Sequence, residues 1–359
     1  MFKVGVGLGN FTNIPCRFYS PSVKAKKLVF HEFGDPPKVV KFEEEVVPEP
    51  KPDEVLIEML VASINPADIN IVQGVYPIKP RLPGVPGNEG VGKVLSVGRN
   101  VKSLCVGDRV MPNTENLGTW RSHGVFKETS LMKVRDDIPL VEQSATHSNG
   151  ATAYRMLKDF VALKEGDVVL QNGANSAAGQ HVVQLCHIWG YKSVNIVRDR
   201  PNIAELKSYL TGLGATHVLT EEEFRKTELF KSGDVPQPKL ALNCVGGKSS
   251  TELIRKLAPK GIMVTYGGMS REPVIVPTAM FIFKDIEARG FWITRWTNEN
   301  RDSEERKTML CELMDLIKEN KLVAPTHKLV PISEYTEVLS DTVNPKGLRG
   351  MKYLFDFRL

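Results

Sequence analysis

Asn172-Gly173-Ala174-Asn175-Ser176-Ala177-Ala178-Gly179-Gln180 follows the apolar run Val168-Val169-Leu170-Gln171 and leads into helix-like text, His181 to Trp189. Small residues in a strand-to-helix turn let backbone N–H groups and the positive end of the helix close on a pyrophosphate. Gly173 and Gly179 match the outer glycines of a dinucleotide fingerprint, with Ala177 or Ala178 replacing the middle one. A second chemical signal closes the next apolar run, Asn195-Ile196-Val197-Arg198-Asp199-Arg200. An acid alone at this point would hold a ribose 2′-hydroxyl, whereas two guanidiniums suit a 2′-phosphate through charge and their planar donor forks. The reading is NADP(H), with Asp199 as the competing acceptor for a bare ribose.

These motifs need a parallel sheet beneath them. Apolar runs Val168 to Leu170, Val194 to Val197, His217 to Thr220, Leu240 to Asn243 and Ile262 to Tyr266 alternate with helix-like text, and a sixth strand is expected over Ala288 to Ile293. That is βαβ alternation, hence a doubly wound α/β domain. Before it, Leu28-Val29-Phe30, Glu54 to Ala62 and Gly90 to Val97 read as short β segments punctuated by Gly and Pro, with no helical period. After it, Ser303 to Glu319 reads as an amphipathic helix and Tyr353-Leu354-Phe355 as a returning strand, so the nucleotide domain is expected to interrupt a β-rich domain made from both chain ends. The expected boundaries are 1–22 for a leader, 23–149 and 295–359 for the β-rich domain, and 150–294 for the nucleotide domain.

The 359 residues carry 47 Lys+Arg and 42 Asp+Glu, 42% hydrophobic and 25% charged, which excludes disordered, collagen-like and disulfide-miniprotein classes. Cys16, Cys105, Cys186, Cys244 and Cys311 are scattered without a C-x-x-C pair, so free thiols in a reducing compartment are expected. No apolar run is long enough for a membrane span. Lys3, Arg17, Lys24, Lys26 and Lys27 precede the first acid, Glu32, and removing those five leaves 42 basic against 42 acidic residues. The net +5 is therefore local and gives no reason to expect nucleic acid as a partner. An acid-free basic leader is the pattern of an organelle transit peptide, with cleavage expected near Ser20 and a mitochondrial matrix destination.

Adding Gly107-Asp108-Arg109-Val110 and Lys164-Glu165-Gly166-Asp167, the chain resembles the medium-chain dehydrogenase/reductase superfamily over residues 27 to 359. Ile64-Asn65-Pro66-Ala67-Asp68-Ile69-Asn70, Gly74-Val75-Tyr76, Gly87-Asn88-Glu89-Gly90, Leu242 to Ser250 (LNCVGGKSS) and Val264 to Met269 are similar to the mitochondrial 2-enoyl thioester reductases within it. The resemblance implies a Rossmann-type domain inserted into a GroES-like catalytic domain. It also implies a homodimer that reduces trans-2-enoyl thioesters, on acyl carrier protein or CoA, with NADPH in mitochondrial fatty acid synthesis. It places the proton donor at Tyr76, and an unperturbed phenol stays protonated in a mildly alkaline matrix. Tyr154, read as the packed start of a helix, and Tyr266 compete for that role. By the same resemblance Asn149 touches the nicotinamide end and Asn175, Ser176, Ala177 and Ala178 the pyrophosphate. Tyr266, Gly267, Gly268 and Met269 with Phe291, Trp292 and Ile293 flank the nicotinamide, and Lys352, whose surroundings depart from the family pattern, is a further cofactor contact or a surface lysine.

Where zinc dehydrogenases of the superfamily carry Cys and His ligands, this chain has Asn65 and Asn88, which bind zinc poorly, so no metal is expected. A conjugated C=C is then a more plausible hydride acceptor than an alcohol is a donor. Two other readings stay open: a zinc-free NADPH quinone reductase, and a non-catalytic NADPH-binding redox sensor or scaffold.

Overall fold

The computed structural model describes residues 23–231, 233–344 and 350–359, so the leader read over 1–22 lies outside the described residues. Strands β1 (Val23–Phe30) and β2 (Val40–Val47) form an antiparallel pair. β3 (Glu54–Ser63), β4 (Gly90–Val97), β5 (Arg109–Pro112), β6 (His123–Lys127) and β7 (Leu131–Lys133) build a mainly antiparallel sheet. Val55, Ile57, Met59 and Val61 of β3 are all buried at alternate positions, the period expected of a strand facing a core.

The second unit is a six-stranded parallel sheet of β8 (Val168–Asn172), β9 (Lys192–Val197), β10 (His217–Thr220), β11 (Leu240–Asn243), β12 (Ile262–Thr265) and β13 (Glu287–Gly290), in the order β10-β9-β8-β11-β12-β13. Leu170 pairs with Val194 on one side and Ala241 on the other, and all three are fully buried. The chain direction across the sheet reverses between β8 and β11, so the loops leaving those two strands part and open a crevice where ligands bind in such sheets.

β14 (His327–Val330) and β15 (Lys352–Asp356) return to the first sheet, where Leu354 lies opposite Ser63 and Phe355 opposite Ala62. The first sheet is thus assembled from both ends of the described chain. Helix Leu140–Asp159 crosses from one unit to the other, and helix Glu304–Lys318 packs on it, with Met309, Leu313 and Ile317 sharing a core with Ala153, Tyr154 and Leu157.

Two expectations change. The sixth strand stops at Gly290 instead of Ile293, because Phe291 is drawn onto the ring of Phe160 at 5.9 Å and Trp292 turns away to start helix Ile293–Glu299. Tyr154 is not at the start of a helix but well along one that begins at Leu140. That helix buries Gln143, Ser144 and Thr146 as well as apolar residues, so it presents no polar stripe from which a start could be read.

Candidate active site

Helix Pro66–Val72 opens with Asn65 at its N-cap and Pro66 in its first turn. The Asp68 carboxylate accepts from the Asn65 N–H at 2.8 Å and from Asn88 Nδ2 at 2.7 Å, while Asn88 Oδ1 accepts from Asn116 N–H at 2.7 Å. Asn65 is the hub of this floor: its Nδ2 donates to Glu89 Oε2 at 2.8 Å, and its Oδ1 accepts from Lys352 Nζ at 2.6 Å and Asn149 Nδ2 at 3.1 Å. Glu89 Oε1 takes the Ser148 N–H at 2.6 Å. Lys352 is 4% exposed and Glu89 2%, with Nζ 3.4 Å from Oε2, so the surface-lysine alternative is overturned: the ammonium is sealed into the floor. Burial lifts the Asp68 carboxyl to about 6, although its hydrogen bonds and Lys352 pull the other way. This set does not fit a zinc ion. The two asparagine amides are spent on carboxylates, and a buried ammonium beside Asn65 and Glu89 repels a cation.

The turn after this helix carries Tyr76. Gly74 has φ 74°, a left-handed conformation natural to glycine, and the Val75 and Tyr76 N–H groups both donate to Asn70 O. The phenol then meets Trp292, whose Nε1–H donates to Tyr76 Oη at 2.7 Å, with the rings edge to face at 5.9 Å. Burial raises the Tyr76 pKa above the ordinary phenol value, and hydrogen bonds from Trp292 and Thr294 oppose that rise. Tyr76 lines a cavity of about 130 Å³ together with Asp68, Asn88, Ile293, Arg306 and Leu310. Of the competitors, Tyr154 donates to Glu312 Oε2 at 2.7 Å, and the Tyr266 hydroxyl is buried beside Cys244 and Ser176 without a hydrogen-bond partner, away from the Tyr76 cavity.

The crevice at the sheet switch point is the second feature. β8 runs into Gly173, then Ser176 caps helix Ala177–Ile188 by accepting from the Gly179 N–H at 3.2 Å. A side chain at Gly173, φ 59°, would strike Cys244 Sγ at 2.5 Å, and one at Gly179 would lie 2.7 Å from Ala174 O. Neither position admits a Cβ, which keeps the loop and helix end open to close approach by a phosphate. Gly173, Asn175, Arg198, Lys248, Ser249 and Met269 line a cleft of about 340 Å³. Arg198 and Lys248 put two cations there, a pair suited to a 2′-phosphate, and Glu221 and Glu272 line the same cleft. Asp199 accepts from the Arg200 N–H at 2.8 Å and Arg200 Nε donates to Arg198 O, and neither residue lines the cleft. Gly267 packs against Cys244 and the Met269 N–H donates to Cys244 O, so Tyr266 to Met269 edge this crevice, whereas the Phe291 ring packs into the core.

Asp68, Glu89 and Lys248 lie in these two places, and the sequence reading did not assign them. Asp68 carried a signal, an acid three residues after an N-capping Asn.

Two family models match the chain: an alcohol dehydrogenase GroES-like domain over residues 51–141 and a zinc-binding dehydrogenase over 177–312. The mitochondrial enoyl-[acyl-carrier-protein] reductase of Homo sapiens is 46% identical over 325 residues, 90% of this chain and 86% of that protein. The chain belongs to the mitochondrial enoyl-[acyl-carrier-protein] reductase family. Among solved structures, the Etr1p complex with NADP and crotonyl-CoA superposes on this enoyl reductase fold with a TM-score of 0.86 at 32% identity, covering 93% of this chain and 100% of that one. The mitochondrial 2-enoyl thioester reductase Etr1p/Etr2p heterodimer from Candida tropicalis does so with the same score, identity and coverage. The zinc-binding label of the second model does not carry over, since the donor set at Asn65 and Asn88 does not fit that ion.

Proposed function

We propose that this chain reduces the C2–C3 double bond of trans-2-enoyl thioesters, on acyl carrier protein or CoA, with NADPH in the mitochondrial matrix, the last reductive step of fatty acid synthesis there. The observation that carries this reading is the Tyr76 hydroxyl, held by the Trp292 N–H on the wall of a cavity. NADPH, when bound, supplies the hydride that adds to C3 of the substrate. Arg198 and Lys248 hold its 2′-phosphate end, and the N–H groups of Asn175, Ala177 and Ala178 face its pyrophosphate. Asn149, Lys352 and Tyr266 to Met269 belong to its nicotinamide side.

Tyr76 holds a proton at Oη, since burial disfavours phenolate. The Trp292 N–H occupies an oxygen lone pair and leaves the O–H free to donate. As charge gathers on the thioester oxygen and C2, Tyr76 delivers its proton to C2, so that hydride and proton together saturate the bond. Trp292 stabilises the tyrosine oxygen as it becomes negative.

Residues 150–294 form the nucleotide domain of this reading, with residues 23–149 and 295–359 as the catalytic domain. A homodimer is supported by the free edge of the parallel sheet. All four residues of β13 are exposed, and the preceding helix Thr278–Lys284 shows Phe281, Ile282 and Phe283 at 47, 67 and 81% exposure. A two-fold axis at this edge would pair β13 with its copy and bury the apolar helix face. The functional test is NADPH oxidation with crotonyl-CoA and trans-2-hexenoyl-CoA beside a quinone, with NADH as the alternative donor. Turnover of the quinone alone would make the chain a quinone reductase. Tight NADPH binding without any turnover would make it a sensor or scaffold.

A further inference from the structure

Arg306 is a buried cation with no acid paired to it. It stands in the first turn of helix Glu304–Lys318, where its N–H donates to the capping Ser303 Oγ at 3.2 Å, and it is 4% exposed. Among the described residues its guanidinium is in no salt bridge: Nη1 donates to Asn113 Oδ1 at 2.7 Å and to Arg301 O at 2.9 Å, and Nη2 meets Met132 Sδ at 3.5 Å. The two acids of the same helical turn are engaged elsewhere, Glu304 with Lys307 at 2.7 Å and Glu305 with Arg155 at 3.7 Å. Burial and the neighbouring Arg301 disfavour its charge, and Asp302 opposes them. A desolvated cation at the positive end of its own helix, without a counter-charge, costs stability that neutral acceptors offset only in part.

Arg306 lines the cavity that holds the Tyr76 hydroxyl, and two more groups there lack partners. Glu115 Oε2 and His147 Nδ1 are buried and, among the described residues, make no hydrogen bond. Asn113, bonded to Arg306, places Glu115 two residues further along the same wall. Burial brings His147 down to about 4, with Glu89 opposing and Arg306 adding to the fall, so its imidazole is neutral. Unsatisfied polar groups gathered in one cavity mark a place where a ligand group completes them. An enoyl chain that places C2 at Tyr76 extends its tail into this cavity, and a methyl end reaching Arg306 would strip its water and return nothing. A terminal carboxylate would pair with Arg306 but be repelled by Glu115. A hydroxyl satisfies both, since it accepts from a guanidinium and donates to a carboxylate.

We propose that Arg306, Glu115 and His147 form a recognition site for a hydroxyl on the acyl tail, so that the protein prefers trans-2-enoyl thioesters with a hydroxyl-bearing end over methyl-ended ones of the same length. This rests on the enoyl reductase reading above and names a substrate class for that site. The guanidinium donates to the hydroxyl oxygen, the hydroxyl donates to Glu115, and the neutral His147 ring borders the pair. These residues bind the tail and take no part in hydride or proton transfer.

The test measures kcat/KM with NADPH for trans-2-enoyl-CoA thioesters of six, eight and ten carbons, each ending in a methyl, a hydroxyl or a carboxylate, in wild type, Arg306→Leu, Arg306→Lys and Glu115→Gln. In wild type the hydroxyl-ended thioester should exceed its methyl-ended counterpart about 10-fold at the length that spans the cavity, mostly through KM, the factor expected of a hydrogen bond to a charged group. Arg306→Leu should abolish that ratio and Arg306→Lys should keep part of it. Glu115→Gln should lower it and raise turnover of the carboxylate-ended thioester. Each ratio is taken within one protein, so a general loss of folded enzyme or of Tyr76 chemistry cancels. Equal kcat/KM for methyl and hydroxyl ends at every length in wild type would overturn the proposal, leaving water as the occupant of the polar wall. So would a hydroxyl preference that survives Arg306→Leu and Glu115→Gln, or a wild-type preference for the carboxylate over the hydroxyl. If Arg306→Leu yields no folded protein, the wild-type series and Glu115→Gln decide on the same criteria. Wild type inert toward crotonyl-CoA and every thioester of the series would instead overturn the enoyl reading, and this proposal with it.

Discussion

Trp292→Phe tests the catalytic arrangement at its most informative bond. The substitution keeps an aromatic ring against Tyr76 and removes one N–H, the donor 2.7 Å from Oη. In the ground state that bond is between neutral groups and contributes about 0.5–1.5 kcal/mol net. As Tyr76 gives up its proton, the acceptor becomes negative, and a charge-assisted bond is roughly twice as strong. The difference between the two states, about 1 kcal/mol, is what the variant loses in the transition state, and at 1.36 kcal/mol per tenfold it lowers kcat about 5-fold. Because the bond also lowers the phenol pKa, its removal moves the alkaline limb of the kcat/KM profile to higher pH. The assay is NADPH oxidation at saturating crotonyl-CoA for wild type, Trp292→Phe, Tyr76→Phe and the double variant. Tyr76→Phe alone should cost about 100-fold or more. In that background the indole has no oxygen to stabilise, so Trp292→Phe should add almost nothing, giving a coupling energy of about 1 kcal/mol. Packing loss from the smaller ring appears equally in both backgrounds and cancels. If Trp292→Phe costs the same factor with and without the tyrosine hydroxyl, the donor role is refuted.

Arg198→Ala and Lys248→Ala should each raise KM for NADPH by about 10-fold or more while leaving NADH kinetics unchanged, since a bond to a charged group contributes about 1.5–3 kcal/mol; a loss shared by both cofactors would place these residues elsewhere. Asp68, raised to about 6 by burial, binds its proton more tightly folded than unfolded. Its contribution is fully present below about pH 4 and is lost as pH rises through about 6, so the Tm of Asp68→Asn relative to wild type should improve between pH 5 and pH 8. A pH-independent difference would mean that Asp68 titrates normally. Phe283→Asp should convert the proposed homodimer to monomer by sedimentation velocity; an unchanged dimer coefficient would move the interface away from β13.

Much of this protein was legible in one dimension because the information is local. Strand text such as Leu240 to Asn243 and His217 to Thr220 matches the observed strands residue for residue, since β-branched and apolar runs bounded by turns leave few alternatives. The loop Gly173 to Gly179 was readable because phosphate binding needs small residues at fixed spacing on one continuous segment. The proposed proton donor was different: nothing in Gly74-Val75-Tyr76 distinguishes a catalytic tyrosine from a packed one, and only the family resemblance pointed to it.

Sequence alone determined the parallel sheet, the small-residue loop after its first strand, one of the two cations of the cleft, Arg198, and the poverty of zinc ligands at Asn65 and Asn88. Tertiary structure decided what contacts at long separation control. Trp292 reaches Tyr76 across 216 positions, Lys352 reaches Asn65 across 287, and Lys248 replaces Arg200 as the second cation of the cleft. It also decided that Lys352 is buried. The physical reason is that side-chain hydrogen bonds and buried charges act over a few ångströms in space, and separation along the chain does not set which groups arrive within that reach.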